Sequence, residues 1–187
     1  MKGREIFLKH NLKIKFLFKI YKLIPKFIRS LIAFLLNSSR VGLLVRYFDL
    51  KMNSSTIGSN VYIANYIIIK NSKNIKIGNN TSFHEFCYID AVGGISIGSN
   101  VSIAHSCSLI SFEHTWNDFS IPIKYNSTKL SPIIIGNDVW IGCGVRILAG
   151  SVIENRVVVA AGAVVKGRLE SGYLYGGIPA KKLRAIL

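Results

Sequence analysis

From Ile57 onward a large apolar residue recurs at every sixth position, usually followed by a small one. The series runs Ile57, Ile63, Ile69; Ile77, Phe83, Ile89; Ile97, Ile103, Leu109; Ile135, Ile141, Ile147; Ile153, Val159, Val165. A period of six fits neither the alternation of an ordinary strand nor the 3.6-residue turn of a helix. A short strand plus a turn in each hexapeptide does fit it, with three hexapeptides closing one triangular coil of a parallel β-helix. The pattern predicts an all-β domain of about five coils over residues 57–167.

The departures from six carry as much information. Within each triple the steps are 6 and 6; between triples they are 8, 8, 26 and 6. Every insertion therefore follows the third hexapeptide of a coil, which places all of them along one edge of the prism. The largest spans residues 110–134, an extruded loop that leaves the register intact and is the natural place for chemistry. Gly58, Gly78, Gly98 and Gly136 fall in one stacked column, with Glu154 in that column on the fifth coil. Cys87 and Cys107 occupy equivalent inward positions and read as small core residues.

Ahead of the repeats the period changes. Lys15, Lys19, Lys22, Lys26 and Arg29 are spaced 4, 3, 4, 3, on one face of a helix, with Leu17, Ile20, Ile24, Phe27, Ile28 and Leu31 opposite. Pro25 breaks or kinks this amphipathic helix. No uncharged apolar run approaches the roughly 20 residues that span a bilayer. The apolar face has two uses that can coexist: packing on its own β-domain or a neighbouring subunit, or lying on anionic lipid. Residues 1–51 thus form a basic helical segment, 52–170 the β-helix and 171–187 a C-terminal tail.

Composition adds limits. Half of the 187 residues are hydrophobic, enough to build a core and to exclude a disordered chain. The net charge is +15, but twelve of the 24 Lys and Arg lie in the first 51 residues, against two of the nine acids. Without zinc-finger spacing, an RNP-type motif or aromatic-basic interleaving on the strands, this basicity does not point to nucleic acid. Three scattered cysteines and no CxxC argue for a reduced, cytoplasmic chain without structural zinc. The basic residues run through the apolar N-terminal stretch instead of preceding it, unlike a cleavable signal peptide, which leaves the inner face of the membrane as the peripheral site.

Three segments then carry a resemblance: Ile133–Val165 (IIIGNDVWIGCGVRILAGSVIENRVVVAAGAVV), Gly176–Leu183 (GGIPAKKL) and Ile110–Tyr125 (ISFEHTWNDFSIPIKY). Residues from about 57 to 182 resemble the hexapeptide-repeat O-acyltransferases, left-handed β-helices that usually work as trimers, in their polysaccharide and lipopolysaccharide branch. The resemblance implies transfer of an acetyl or similar group from acetyl-CoA to a sugar hydroxyl. It makes His114, at the root of the large loop, the general base, a role that suits histidine because it titrates nearest neutral pH. Glu113, Asp118 and a backbone carbonyl are all open as its orienting partner. By the same resemblance Glu85 contacts the acceptor, and the pantetheine arm runs between adjacent β-helices past the backbone around Gly142, Ala160 and Gly162, where a backbone amide would hold the oxyanion. Lys166 and Lys181 would face the CoA phosphates, and Trp140 would pack.

His84 and His105 read as structural or peripheral, with Glu85 and His105 able to pair across adjacent strands. Other readings share the fold: an N-acetyltransferase acting on an amino-sugar nucleotide, a γ-type carbonic anhydrase, or a non-enzymatic scaffold. The anhydrase needs three zinc-binding imidazoles, two of them close in sequence. Here His84, His105 and His114 are 21 and 9 residues apart, and the GxPAK tail favours CoA, so no metal is expected.

Overall fold

A computed structural model describes residues 3–36, 39 and 41–186. Three helices precede the repeats: α1 (Gly3–Leu23), α2 (Lys26–Leu35) and α3 (Gly42–Asn53). The chain leaves α1 just before Pro25, which lies in an extended conformation and so starts α2 afresh.

The repeats wind into a left-handed parallel β-helix with three faces. The first face stacks Thr56–Ile57, Ile75–Ile77, Ile95–Ile97, Ile133–Ile135, Val152–Ile153 and Arg168–Leu169. On the second lie Tyr62–Ile63, Ser82–Phe83, Ser102–Ile103, Trp140–Ile141, Val158–Val159 and Tyr173–Gly176, the last paired antiparallel with Lys181–Ala185. The third carries Ile68–Lys70, Tyr88–Asp90, Ser108–Ile110, Arg146–Ile147 and Val164–Val165. Strand partners are the residues the six-residue series aligns, for example Ile57 with Ile77 and Ile103 with Ile141. The coils continue beyond the five expected: Leu169 and Tyr175 begin a sixth, which the series hid because the step from Val165 to Leu169 shortens to four.

The inward residues are nearly all fully buried. Each contributes about 1.5–3 kcal/mol by leaving water. The glycine column is a steric necessity: a Cβ on Gly58 would stand 2.6 Å from the Gly78 carbonyl, and one on Gly98 2.5 Å from the Gly136 oxygen. Where the first face turns into the second, Asn60, Asn80 and Asn100 adopt positive φ, which asparagine tolerates. Their amides form a ladder, Asn60 Nδ2 to Asn80 Oδ1 at 3.0 Å and Asn80 Nδ2 to Asn100 Oδ1 at 3.1 Å. Cys87 and Cys107 point inward, each thiol donating to a carbonyl of the next coil, Ala104 at 3.2 Å and Gly142 at 3.1 Å.

Helix α1 carries two apolar faces. One packs Ile14, Phe18 and Tyr21 against the core, with Tyr21 donating to Asp49 of α3 at 2.8 Å. That burial and hydrogen bond push the Tyr21 phenol pKa well above its usual range, while burial raises that of Asp49. The other face is a stripe of exposed apolar residues, Leu8, Leu12, Phe16, Ile20 and Leu23, continued on α2 by Phe27, Leu31 and Phe34. By helical geometry Lys9 and Lys13 lie on one flank of the α1 stripe and Lys15, Lys19 and Lys22 on the other. Among the described residues no helix is long and apolar enough to cross a membrane.

Candidate active site

All insertions sit on the third edge of the prism, where the third face turns back to the first. The large loop leaves at Ser111 and returns at Ser131, whose amide donates to the Ser111 carbonyl at 3.0 Å and closes the neck. Ser111 is buried and also donates to the Asp90 carbonyl, so the neck is tied to the coil below. Beyond the neck the chain forms a hairpin, Phe112–His114 against Thr128–Leu130. Thr115 extends it, its amide bonding the Ser127 carbonyl at 2.9 Å and its hydroxyl bonding the same oxygen at 2.8 Å.

His114 is therefore held on ordered backbone, yet its side chain is exposed. Its ring meets Phe112 edge-on, 6.3 Å between centroids, and has no hydrogen-bond partner among the described residues. Two of its three candidate orienting groups are placed elsewhere. Glu113 is the intervening strand residue and projects to the opposite side of the hairpin. Asp118 accepts from the Ser120 hydroxyl and amide, at 2.5 and 2.9 Å, and these bonds lower its pKa. Among the described residues neither carboxylate bonds the imidazole.

Near Asn126 the resemblance implies a glutamine that contacts the acceptor, and the sequence holds no sign of what the asparagine does instead. It is buried and clamps the loop, accepting from the Asp118 amide at 2.9 Å and donating to the Asp118 and Pro122 carbonyls at 3.1 and 3.4 Å. One polar residue flanked by loop sequence gives no periodic signal.

The second edge, where the second face turns into the third, changes character along the stack. In the first two coils it carries Tyr66 and Phe86, both at positive φ, exposed and stacked in parallel 5.5 Å apart. Glu85 sits here, half-buried, and its carboxylate faces His84 Nδ1 at 4.0 Å. The expected Glu85–His105 pairing is thus replaced by one within a single turn; His105 is exposed and uses its carbonyl to accept from Gly144.

In the fourth and fifth coils the same edge is stripped to Gly142, Cys143 and Gly144 below Ala160, Ala161 and Gly162. A Cβ on Gly142 would lie 2.6 Å from the Ala161 nitrogen, so no side chain fits there, whereas Gly162 has nothing within 4 Å of its missing Cβ and borders open space. The Gly142, Ala160 and Gly162 amides each make a 2.8 Å bond to a neighbouring coil, with Val159, Tyr175 and Cys143 respectively. The coil ladder thus engages all three amides. No backbone bond among the described residues uses the Cys143 or Ala161 amide.

At the top, the Ala180 amide donates to the Val164 carbonyl at 2.8 Å. This brings exposed Lys181 beside the strand that ends next to exposed Lys166. Trp140 does not pack: it stands on the outer side of the second face, 56% exposed. Among the described residues no three His, Cys, Asp or Glu side chains converge on a metal position.

The description Bacterial transferase hexapeptide (six repeats) matches residues 132–167. Over that stretch the chain is similar to the hexapeptide-repeat transferases. It is 30% identical to the galactoside O-acetyltransferase of Escherichia coli K12 over 133 residues, 71% of this chain and 64% of that protein. To an O-acetyl transferase of the same organism named for lipopolysaccharide biosynthesis, WbbJ, it is 29% identical over 117 residues, 59% of this chain and 60% of that one. The chain thus spans under two thirds of the length of these relatives. In structure it is similar to a hexapeptide-repeat acetyltransferase of Vibrio cholerae O1 biovar eltor solved with acetyl-CoA, at TM-score 0.74 and 28% identity, covering 85% of this chain and 86% of that one.

His114 lies on the third edge, whereas Gly142, Ala160 and Gly162, expected along the donor's arm, lie on the second, with no hydrogen bond or ring contact between them among the described residues. Within one subunit, then, Gly142, Ala160, Gly162, Lys166 and Lys181 gather toward the top of the stack, Glu85 lies lower on the second edge, and His114 stands apart on the third.

Proposed function

We propose that the protein is an O-acyltransferase that moves an acetyl or similar acyl group from acyl-CoA to a sugar hydroxyl of a surface glycan. The observation that carries this reading is the second edge reduced to glycine and small side chains at Gly142–Gly144 and Ala160–Gly162, a slot for a thin, extended thioester arm. Lys181, paired with Gly176, lies toward its upper end and Lys166 stands at the head of the stack on the third edge; ammonium groups suit the phosphates of CoA. The similarity to a protein solved with acetyl-CoA supports the donor, and the names of the two relatives support a sugar acceptor.

The separation of His114 from the slot is resolved by a homotrimer in which one subunit's third edge faces the next subunit's second edge. There the His114 imidazole takes the proton from the sugar hydroxyl as its oxygen attacks the thioester carbon. The Cys143 or Ala161 amide holds the oxyanion, and collapse expels the CoA thiolate, which recovers the proton from the imidazolium. Glu85 positions the acceptor. Acceptor-dependent release of CoA thiol from acetyl-CoA, assayed across a panel of glycans, tests the reading. Thiol release that no glycan or sugar nucleotide stimulates would sink it, and stimulation by amino-sugar nucleotides alone would make the enzyme an N-acyltransferase.

The protein acts at the cytoplasmic surface of the membrane in this reading. The exposed stripe of α1 and α2, flanked by lysines, is built like a helix lying in the headgroup region with its cations toward anionic lipid. Placing Glu at Phe16, Leu23 and Phe27 together, all exposed positions, is expected to reduce co-sedimentation with phosphatidylglycerol vesicles at least about tenfold while leaving helicity unchanged. Unchanged vesicle binding would remove the membrane role, and loss of the oligomer instead would assign the stripe to subunit packing.

A further inference from the structure

A cavity of about 730 Å³ lies between α1, α3 and the second face of the first two coils. It belongs neither to the donor slot nor to the hairpin, and its size falls in the range of roughly 300–1,000 Å³ typical of ligand pockets. Ile14, Leu17, Leu44 and Tyr47 form apolar walls, while His10, Lys13 and His84 also line it and no carboxylate does. A space with hydrocarbon walls, a lysine and two histidines, and no carboxylate in its lining fits an apolar chain that carries an anionic group.

Two features fix its orientation. Lys13 and Leu17 are exposed and adjoin the apolar stripe of α1, so the cavity opens beside the surface assigned to the membrane. At another point of its lining stands His84, whose Nδ1 is 4.0 Å from the Glu85 carboxylate. The space therefore connects the membrane-facing helix with the residue that positions the acceptor. We infer that the acceptor sugar arrives on a phosphorylated lipid carrier, whose proximal hydrocarbon occupies this cavity and whose phosphate is met by Lys13 with His10 and His84. This inference rests on the O-acyltransferase reading and deepens it by naming the form in which the acceptor is presented.

Calorimetric titration of the full-length protein with farnesyl phosphate, below its micelle concentration, tests the inference. One saturable site per chain is expected, weakened at least about tenfold by Leu44→Trp, which fills the cavity, and by Leu17→Trp, an exposed position where folding is not at stake. Farnesol should bind at least about tenfold more weakly than farnesyl phosphate and be insensitive to Lys13→Glu, which should weaken the phosphate. No saturable binding, or equal binding by both tryptophan variants and the parent, would overturn the proposal. Equal competition by lauroyl lysophosphatidylglycerol would overturn it too, by assigning the cavity to bulk lipid. CoA titrated on the same preparations separates the two readings. Normal CoA binding without farnesyl phosphate binding defeats the cavity alone; the reverse defeats the donor slot and leaves the cavity standing.

Discussion

Replacing His114 with alanine lowers turnover by about 10²–10⁴-fold, the usual contribution of a positioned general base, and leaves CoA affinity nearly unchanged. The split follows from geometry. His114 sits on a hairpin at the third edge, whereas the residues proposed to hold CoA lie on the second edge and at the top of the stack. The substitution also removes an exposed side chain whose one ring contact is with Phe112, so the fold should not respond. His84→Ala and His105→Ala should cost far less in turnover. Near-normal turnover of His114→Ala on the true acceptor would rule out the base assignment.

Gly162→Phe is expected to weaken CoA binding by about 10- to 100-fold, the effect of the roughly 1–3 kcal/mol that overfilling a close-fitting space costs. Gly162 has φ of +71°, and the same turn position in lower coils holds Tyr66, Phe86 and Ser106 at +58°, +61° and +60°. This fold thus accommodates a side chain there at about 1–2 kcal/mol of backbone strain, and nothing within 4 Å obstructs it. Titration with CoA beside a thermal melt separates the effects: the melt should shift by a few degrees while affinity falls. An unaltered CoA affinity would remove the pantetheine arm from this edge.

The coils were legible because their signal is covalent spacing. An inward aliphatic every six residues admits few folds, and an insertion is visible as a broken step, so both the stack and the edge bearing the loop could be read directly. The sixth coil escaped because its step shortens before Leu169. The two-faced α1 was half legible: its lysine spacing gave the helix, but which apolar residues pack and which stay bare depends on how α1 seats against α3 through Tyr21 and Asp49.

Site residues were less legible, because their roles depend on partners distant in sequence. Which backbone amides stay free on the second edge could not be read, because the coil ladder bonds those of Gly142, Ala160 and Gly162 to residues of other coils. Glu85 faces His84 and not His105 because a turn, not a strand pair, sets its direction. The apolar cavity left no sequence signature at all, since its lining joins α1, α3 and two coils.

The most direct measurement is a crystal structure of the protein with acetyl-CoA. The account predicts a threefold assembly with the pantetheine arm along Gly142 and Gly162 of one subunit. The thioester carbonyl should point at the Cys143 or Ala161 amide, and His114 of the adjacent subunit should stand within hydrogen-bond reach, about 2.6–3.2 Å, of where the attacking hydroxyl must lie. Acetyl-CoA bound away from this edge, or every His114 remote from every thioester, would contradict it.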